Sequence, residues 1–156
     1  MAAQLNYDWS TSKGLPGGKF DLADDVVNTR SNEEATGTLK FGHGVVAGTN
    51  KGHSVKLPTA TADTFEGVVV NGSANVEHDL EGEVKIKKNT TVGVMKRGHI
   101  WARLASGVTA PEYGAKAYLV VTGDDAGCFT NTADGALDTG ATFGNQYDDG
   151  IAVVIL

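Results

Sequence analysis

The stretch Phe65–Gly72, FEGVVVNG, constrains the chain more than any other. Three consecutive β-branched residues, Val68, Val69 and Val70, stop at Asn71-Gly72. The run is too short for a helix, and its side chains are stiff at χ1, so it predicts a strand. Asn-Gly tolerates the positive φ of a type I′ turn, so the pair predicts a tight hairpin closing that strand. The same cadence recurs on both sides. Phe41–Gly48 and Val55–Pro58 predict strands leading in. Val84–Lys87, Val92–Met95 and His99–Leu104 predict strands leading out. Glycine, at 21 of 156 residues and with only three prolines, supplies the turns. That is about twice its usual share.

Residues 1–35 break this cadence. Trp9, the turn cluster Gly14–Gly18 and the acids Asp21, Asp24 and Asp25 follow neither a 3.6 nor a 2.0 period. The segment predicts an extended arm that orders on a partner through sticky residues such as Tyr7, Trp9, Leu15 and Phe20, the alternatives being a loose terminus or a strand added to the barrel edge. Residues 36–156 predict one domain. Residues 72–83 and 131–139 are polar and predict loops. Val84 and Ile86 alternate with Lys85 and Lys87, the pattern of a charged edge strand. Ile100, Ala102 and Leu104 alternate with Trp101 and Arg103, and Trp101 suits the core as well as a contact surface. Lys96, Arg97 and Arg103 predict a single positive patch. Ala117–Val121 is apolar throughout, which predicts burial on both faces. The β-branched terminus Ile151–Leu156 predicts a core strand. The fold class that follows is all-β, a small barrel or sandwich of about nine to ten short strands with an extended N-terminal arm.

A domain of this length buries roughly 70% of its unfolded surface and needs neither metal nor disulfide. The single Cys128 cannot form an internal disulfide. A net charge of −6 argues against nucleic acid as a partner. The apolar runs are too short to cross a bilayer, and MAAQLNYDWS is not the start of a secretory leader. His43, His53, His78 and His99 lack local metal-ligand spacing, so no metal or cofactor is expected. Gly14–Lys19 fails as a phosphate loop, because Lys13 stands where the first glycine must and Phe20 where Ser or Thr must. Asp138-Thr139-Gly140-Ala141 matches the tripeptide of aspartic proteases, whose paired carboxylates share a proton. Thr142 then stands where that family has Asp, and the motif falls late in the chain rather than early. Asp124-Asp125 and Asp148-Asp149 lack the ligand spacing of a calcium loop.

The arm Gly14–Leu22, the segments Leu39–Val46, Val55–Thr59 and Phe65–Val69, the strand pair Val92–Ala102, the Gly123–Asn131 segment and the final Ile151–Val154 occur in an order that resembles the structural cement, or capsid decoration, proteins of tailed bacteriophages. The resemblance implies a non-enzymatic β-domain on the outer surface of the virion head. It implies the major capsid protein as partner of the arm, with Leu15, Pro16, Phe20 and Leu22 as anchors and Trp101 or Arg103 at a subunit contact, a homotrimer on the capsid and assembly in the host cytoplasm. It also implies a role in holding the shell against internal DNA pressure. A head fibre base or a tail-tube-like module is the alternative from the same class of virion parts.

Overall fold

The structure, a computed structural model, describes residues 14–72, 76–78, 80 and 82–156. Among these there are twelve strands and no helix. They are β1 (Val26–Asn32), β2 (Gly44–Ala47), β3 (Ser54–Lys56), β4 (Phe65–Val69), β5 (Val76–His78) and β6 (Val84–Ile86). There follow β7 (Thr91–Arg97), β8 (His99–Arg103), β9 (Lys116–Val120), β10 (Phe129–Thr130), β11 (Ala136–Asp148) and β12 (Ile151–Ile155). Strands β1, β3, β2, β4 and β7 close a barrel. A five-stranded sheet runs β10-β9-β11-β12-β8, and β5-β6 is a separate pair. A bridge between Leu104 and Phe129 brings the two ends of the five-stranded sheet together.

The valine pairs explain how the two bodies join. Neighbouring residues in a strand point to opposite faces, so a Val-Val pair demands burial on both. Val45, Val69 and Val94 pack in one cluster with Leu39, Val55, Ile86 and Val92. Their neighbours Val46, Val68 and Met95 pack in another, with Ile100, Leu119, Phe129, Phe143 and Val154 of the sheet. The register agrees, since Val68 lies opposite Met95 and Val69 opposite Val94. The barrel wall formed by β2, β4 and β7 is therefore shared between two cores. The alternation predicted for β8 holds, with Ile100, Ala102 and Leu104 facing the larger core. The last strand is a core strand as expected, with Ala152 and Val154 fully buried.

Four expectations differ. Asn71-Gly72 closes no hairpin. β4 already has β2 and β7 as neighbours, and Asn71 instead donates its backbone N–H to Gly17 O at 2.8 Å. The arm does not run to residue 35, because Val26–Asn32 is the barrel strand β1, parallel to β3 and antiparallel to β7. Its side chains are mostly polar and half-exposed, so backbone pairing rather than apolar alternation holds it in place. Asn32 anchors its end, accepting from Glu34 N at 2.9 Å and donating to Lys87 O at 3.0 Å. The polar stretch 72–83 contains β5, paired with β6 and tied to it by Glu77–Lys87 at 3.0 Å. The loop predicted over 131–139 is partly β11, whose turn-like composition reflects register shifts at Asp138/Ala141 and Phe143/Tyr147.

Gly67 shows how tightly the shared wall is built. Its φ is 141°, and a Cβ there would lie 2.1 Å from Met95 O. Replacement with alanine meets both backbone strain and a clash with a neighbouring strand. Gly135, with φ 66° and open space around it, meets strain alone. We expect Gly67→Ala to lower the thermal midpoint by about 5–10 °C and Gly135→Ala by about half that or less. Thermal unfolding followed by circular dichroism checks the difference.

Candidate functional site

The segment Gly14–Asp25 lies along the free edge of β8. Gly17 N donates to Trp101 O at 2.7 Å, Trp101 N to Gly18 O at 2.9 Å and Phe20 N to His99 O at 2.9 Å. Asn71 adds a bond from its Nδ2 to Pro16 O at 3.4 Å. Unpaired strand edges attract foreign strands, and this segment covers one. It also covers Trp101, which is 7% exposed among Ile151, Val153 and Phe20. The Phe20 ring meets the indole edge-on, with centroids 5.9 Å apart, and Gly14 lies against its face. An aromatic pair of this geometry adds about 0.5–1.5 kcal/mol beyond the area it buries.

The acids of the segment reach the turn between β7 and β8. His99 Nδ1 and Asp21 Oδ2 are 2.7 Å apart, Arg97 and Asp24 are 2.6 Å apart, and Lys19 pairs with Asp25. The bond from His99 and that from Ala23 N hold the Asp21 carboxyl below its ordinary range. The positive patch predicted from Lys96, Arg97 and Arg103 is not gathered in one place. Arg97 is bound to the segment, while Arg103 stands four residues from His99 along β8, about 13 Å away. There its Nε donates to Phe41 O at 2.8 Å.

The predicted site residues separate accordingly. Phe20 packs on Trp101, and Pro16 is held by Asn71, so both are engaged by the chain itself. Leu15 and Leu22 are exposed, Leu22 fully at 104%. Trp101 is buried under the chain's own segment and Arg103 is half-buried. Trp9 and the rest of residues 1–13 lie outside the described residues. Asp138 sits on the first bulge of β11, exposed, accepting from Gly140 N at 3.0 Å and 3.6 Å from Lys116 Nζ. That is the bonding of a turn carboxylate. Asp125 spends both oxygens on Ser106. Among the described residues no group of His, Cys, Asp and Glu is placed to hold a metal. Sequence reasoning missed Asn71 and the pairing of Asp21 and Asp24 with His99 and Arg97. The acid cluster and the basic turn are both visible in the chain, but not that they meet.

The chain belongs to the phage cement family: residues 3–156 match the family described as structural cement protein (E217 gp24/Pam3 gp6). It is thus a cement, or decoration, protein of a phage capsid, a structural part of the virion that associates with the head shell. A chain from the capsid of Myoviridae phage XM1 has the same fold, with a TM-score of 0.74 at 16% identity over 99% of this chain and 97% of that one. No curated protein matches.

His43, the residue before β2, is 6% exposed. Burial, then the charges of Arg103 and Lys40, push its pKa from 6.5 down to about 4. Its Nδ1 accepts from Lys40 N at 3.3 Å, so the neutral ring is the one that fits. Between pH 6.5 and 4 the unfolded chain binds a proton that the folded chain refuses. The stability this neutral ring allows is full above pH 6.5 and is lost as pH falls toward 4, by roughly 3 kcal/mol. We expect His43→Asn to flatten urea-unfolding stability over that window, which urea titrations at stepped pH measure.

Proposed function

We propose that this cement protein binds the outer surface of the head shell as a homotrimer and stabilises the shell against the pressure of packaged DNA, with no catalytic role. Its N-terminal segment makes the contact with the major capsid protein. One observation carries this reading. Leu15, Leu22, Val26 and Val27 are four of the eight exposed large apolar side chains among the described residues, and all fall within residues 15–27. Exposed apolar groups concentrated in one segment favour an interaction surface over a plain solvated face. The sticky residues Leu5, Tyr7 and Trp9 precede it in the chain. The net charge of −6 suits a surface that has no call on the DNA inside.

Co-sedimentation with expanded, undecorated heads of the cognate phage tests the reading. The informative truncation removes residues 1–13 only, because a cut at residue 35 would delete β1 and with it the barrel. Saturable binding is expected, with half-saturation shifted at least tenfold by the truncation. Heads that stay bare at saturating protein would overturn the cement contact. Cryo-electron microscopy of decorated heads reads the stoichiometry and the side of the shell.

A further inference from the structure

Five residues, Asp21–Asp25, connect the edge-covering segment to β1. Both ends are fixed to the same turn. Phe20 N donates to His99 O at one end, and Val26 pairs with Arg97 at the other. The loop thus straddles Gly98, whose φ is 129° and where a Cβ would lie 2.9 Å from that of Asp25. Inside the loop every carboxylate has a partner in the chain. Asp21 meets His99, Asp24 meets Arg97 and Asp25 meets Lys19. Asp21 also accepts from Ala23 N at 3.0 Å, a local turn that sets the crest. Exposed ion pairs add little stability. Here they orient a short loop already tied at both ends by backbone.

The residue on that crest is Leu22, 104% exposed, with Val26 and Val27 half-exposed beside it. A single exposed leucine is ordinary, but Leu22 stands with Leu15, Val26 and Val27 in one short segment, on a loop tied at both ends whose acids are bonded within the chain. We propose that Leu22 is a preformed docking knob that inserts into an apolar pocket on a protein subunit of the capsid shell. This rests on the capsid contact proposed above and names its central residue. The occupant is a capsid protein pocket because the chain belongs to a capsid cement family and the crest offers an apolar side chain whose flanking carboxylates are already bonded within the chain. Rigid presentation lowers the ordering cost of binding. Burying one leucine side chain is then enough to shift affinity about tenfold or more.

The test is co-sedimentation of the full chain with undecorated heads, comparing wild type with Leu22→Asp, Leu80→Asp and the double variant Asp21→Asn/Asp24→Asn. Leu80 is an equally bare leucine, 108% exposed, beyond β5. Leu22→Asp is expected to raise half-saturation at least tenfold, and Leu80→Asp to leave it within twofold. The double variant keeps Leu22 but loosens its loop, and a rise of a few fold is expected. Circular dichroism melts confirm that all variants fold, which exposed positions permit. If Leu22→Asp saturates heads as wild type does, or Leu80→Asp loses as much, the knob is refuted while the cement contact stands. The knob is equally refuted if Leu22→Asp alters only self-association in sedimentation velocity. Wild type that leaves heads bare removes both.

Discussion

Burial of three barrel strands on both faces is the constraint on which the rest depends. β2, β4 and β7 each carry adjacent apolar residues, one turned into the barrel and one onto the five-stranded sheet. Neither core is large. Joined through one wall, they bury the same backbone from two sides, so neither body loses its packing without disturbing the other. The wall tolerates no extra atom where strands approach most closely, as at Gly67. Apolar burial of this kind contributes about 25 cal/mol per Å² and dominates the folding balance. The wall also fixes the turn between β7 and β8, since β7 belongs to the barrel and β8 to the sheet. That turn is the rigid point to which the N-terminal segment is tied.

Much of this was legible in the chain. The Val68–Val70 run reads as a strand, and Val68 and Val69 lie in one. The β8 alternation places Ile100, Ala102 and Leu104 inward, whereas the burial on both faces read for Ala117–Val121 holds on one face only, Tyr118 and Val120 staying partly exposed. The apolar terminus reads as a core strand and is one. What failed was whatever depended on partners distant in sequence. Asn71-Gly72 has the composition of a hairpin turn, yet β4 is already flanked on both sides, and Asn71 serves the segment near residue 17 instead. β1 carries no apolar period, because its backbone makes the contacts while its side chains stay half in water. β11 reads as a loop because its bulges need Gly140 and turn-forming Asp138 inside a strand.

The candidate surface was legible only in part. Leu15, Pro16, Phe20 and Leu22 are all apolar or turn-forming, and composition cannot separate the one that plugs a groove from the one that projects. Packing does. Phe20 belongs to the Trp101 cluster, whereas Leu22 stands fully in solvent. Trp101 suits an interface equally well on sequence, because a large exposed aromatic and a large covered one have the same pattern. Its cover is the chain's own residues 14–20, which a reading of β8 alone could not supply.

The two halves of the molecule meet acid in the same direction. Asp21 is held below its ordinary pKa by His99, so the bonds that pin the loop persist above the unfolded carboxylate range and fade as pH falls through the lowered value. Glu33, which accepts from Ser54 and from Thr49 N beside the end of β1, is lowered in the same way. His43 acts earlier, since below pH 6.5 the unfolded chain already takes up a proton that the folded chain's neutral ring does not. Descending pH therefore lowers the stability of the whole fold before it frees the loop. A loop tied at both ends to the β7–β8 turn loses the fold beneath it first, and its own bonds second. The placement of the loop that carries Leu22 is in this sense a property of the shared wall more than of its own five residues.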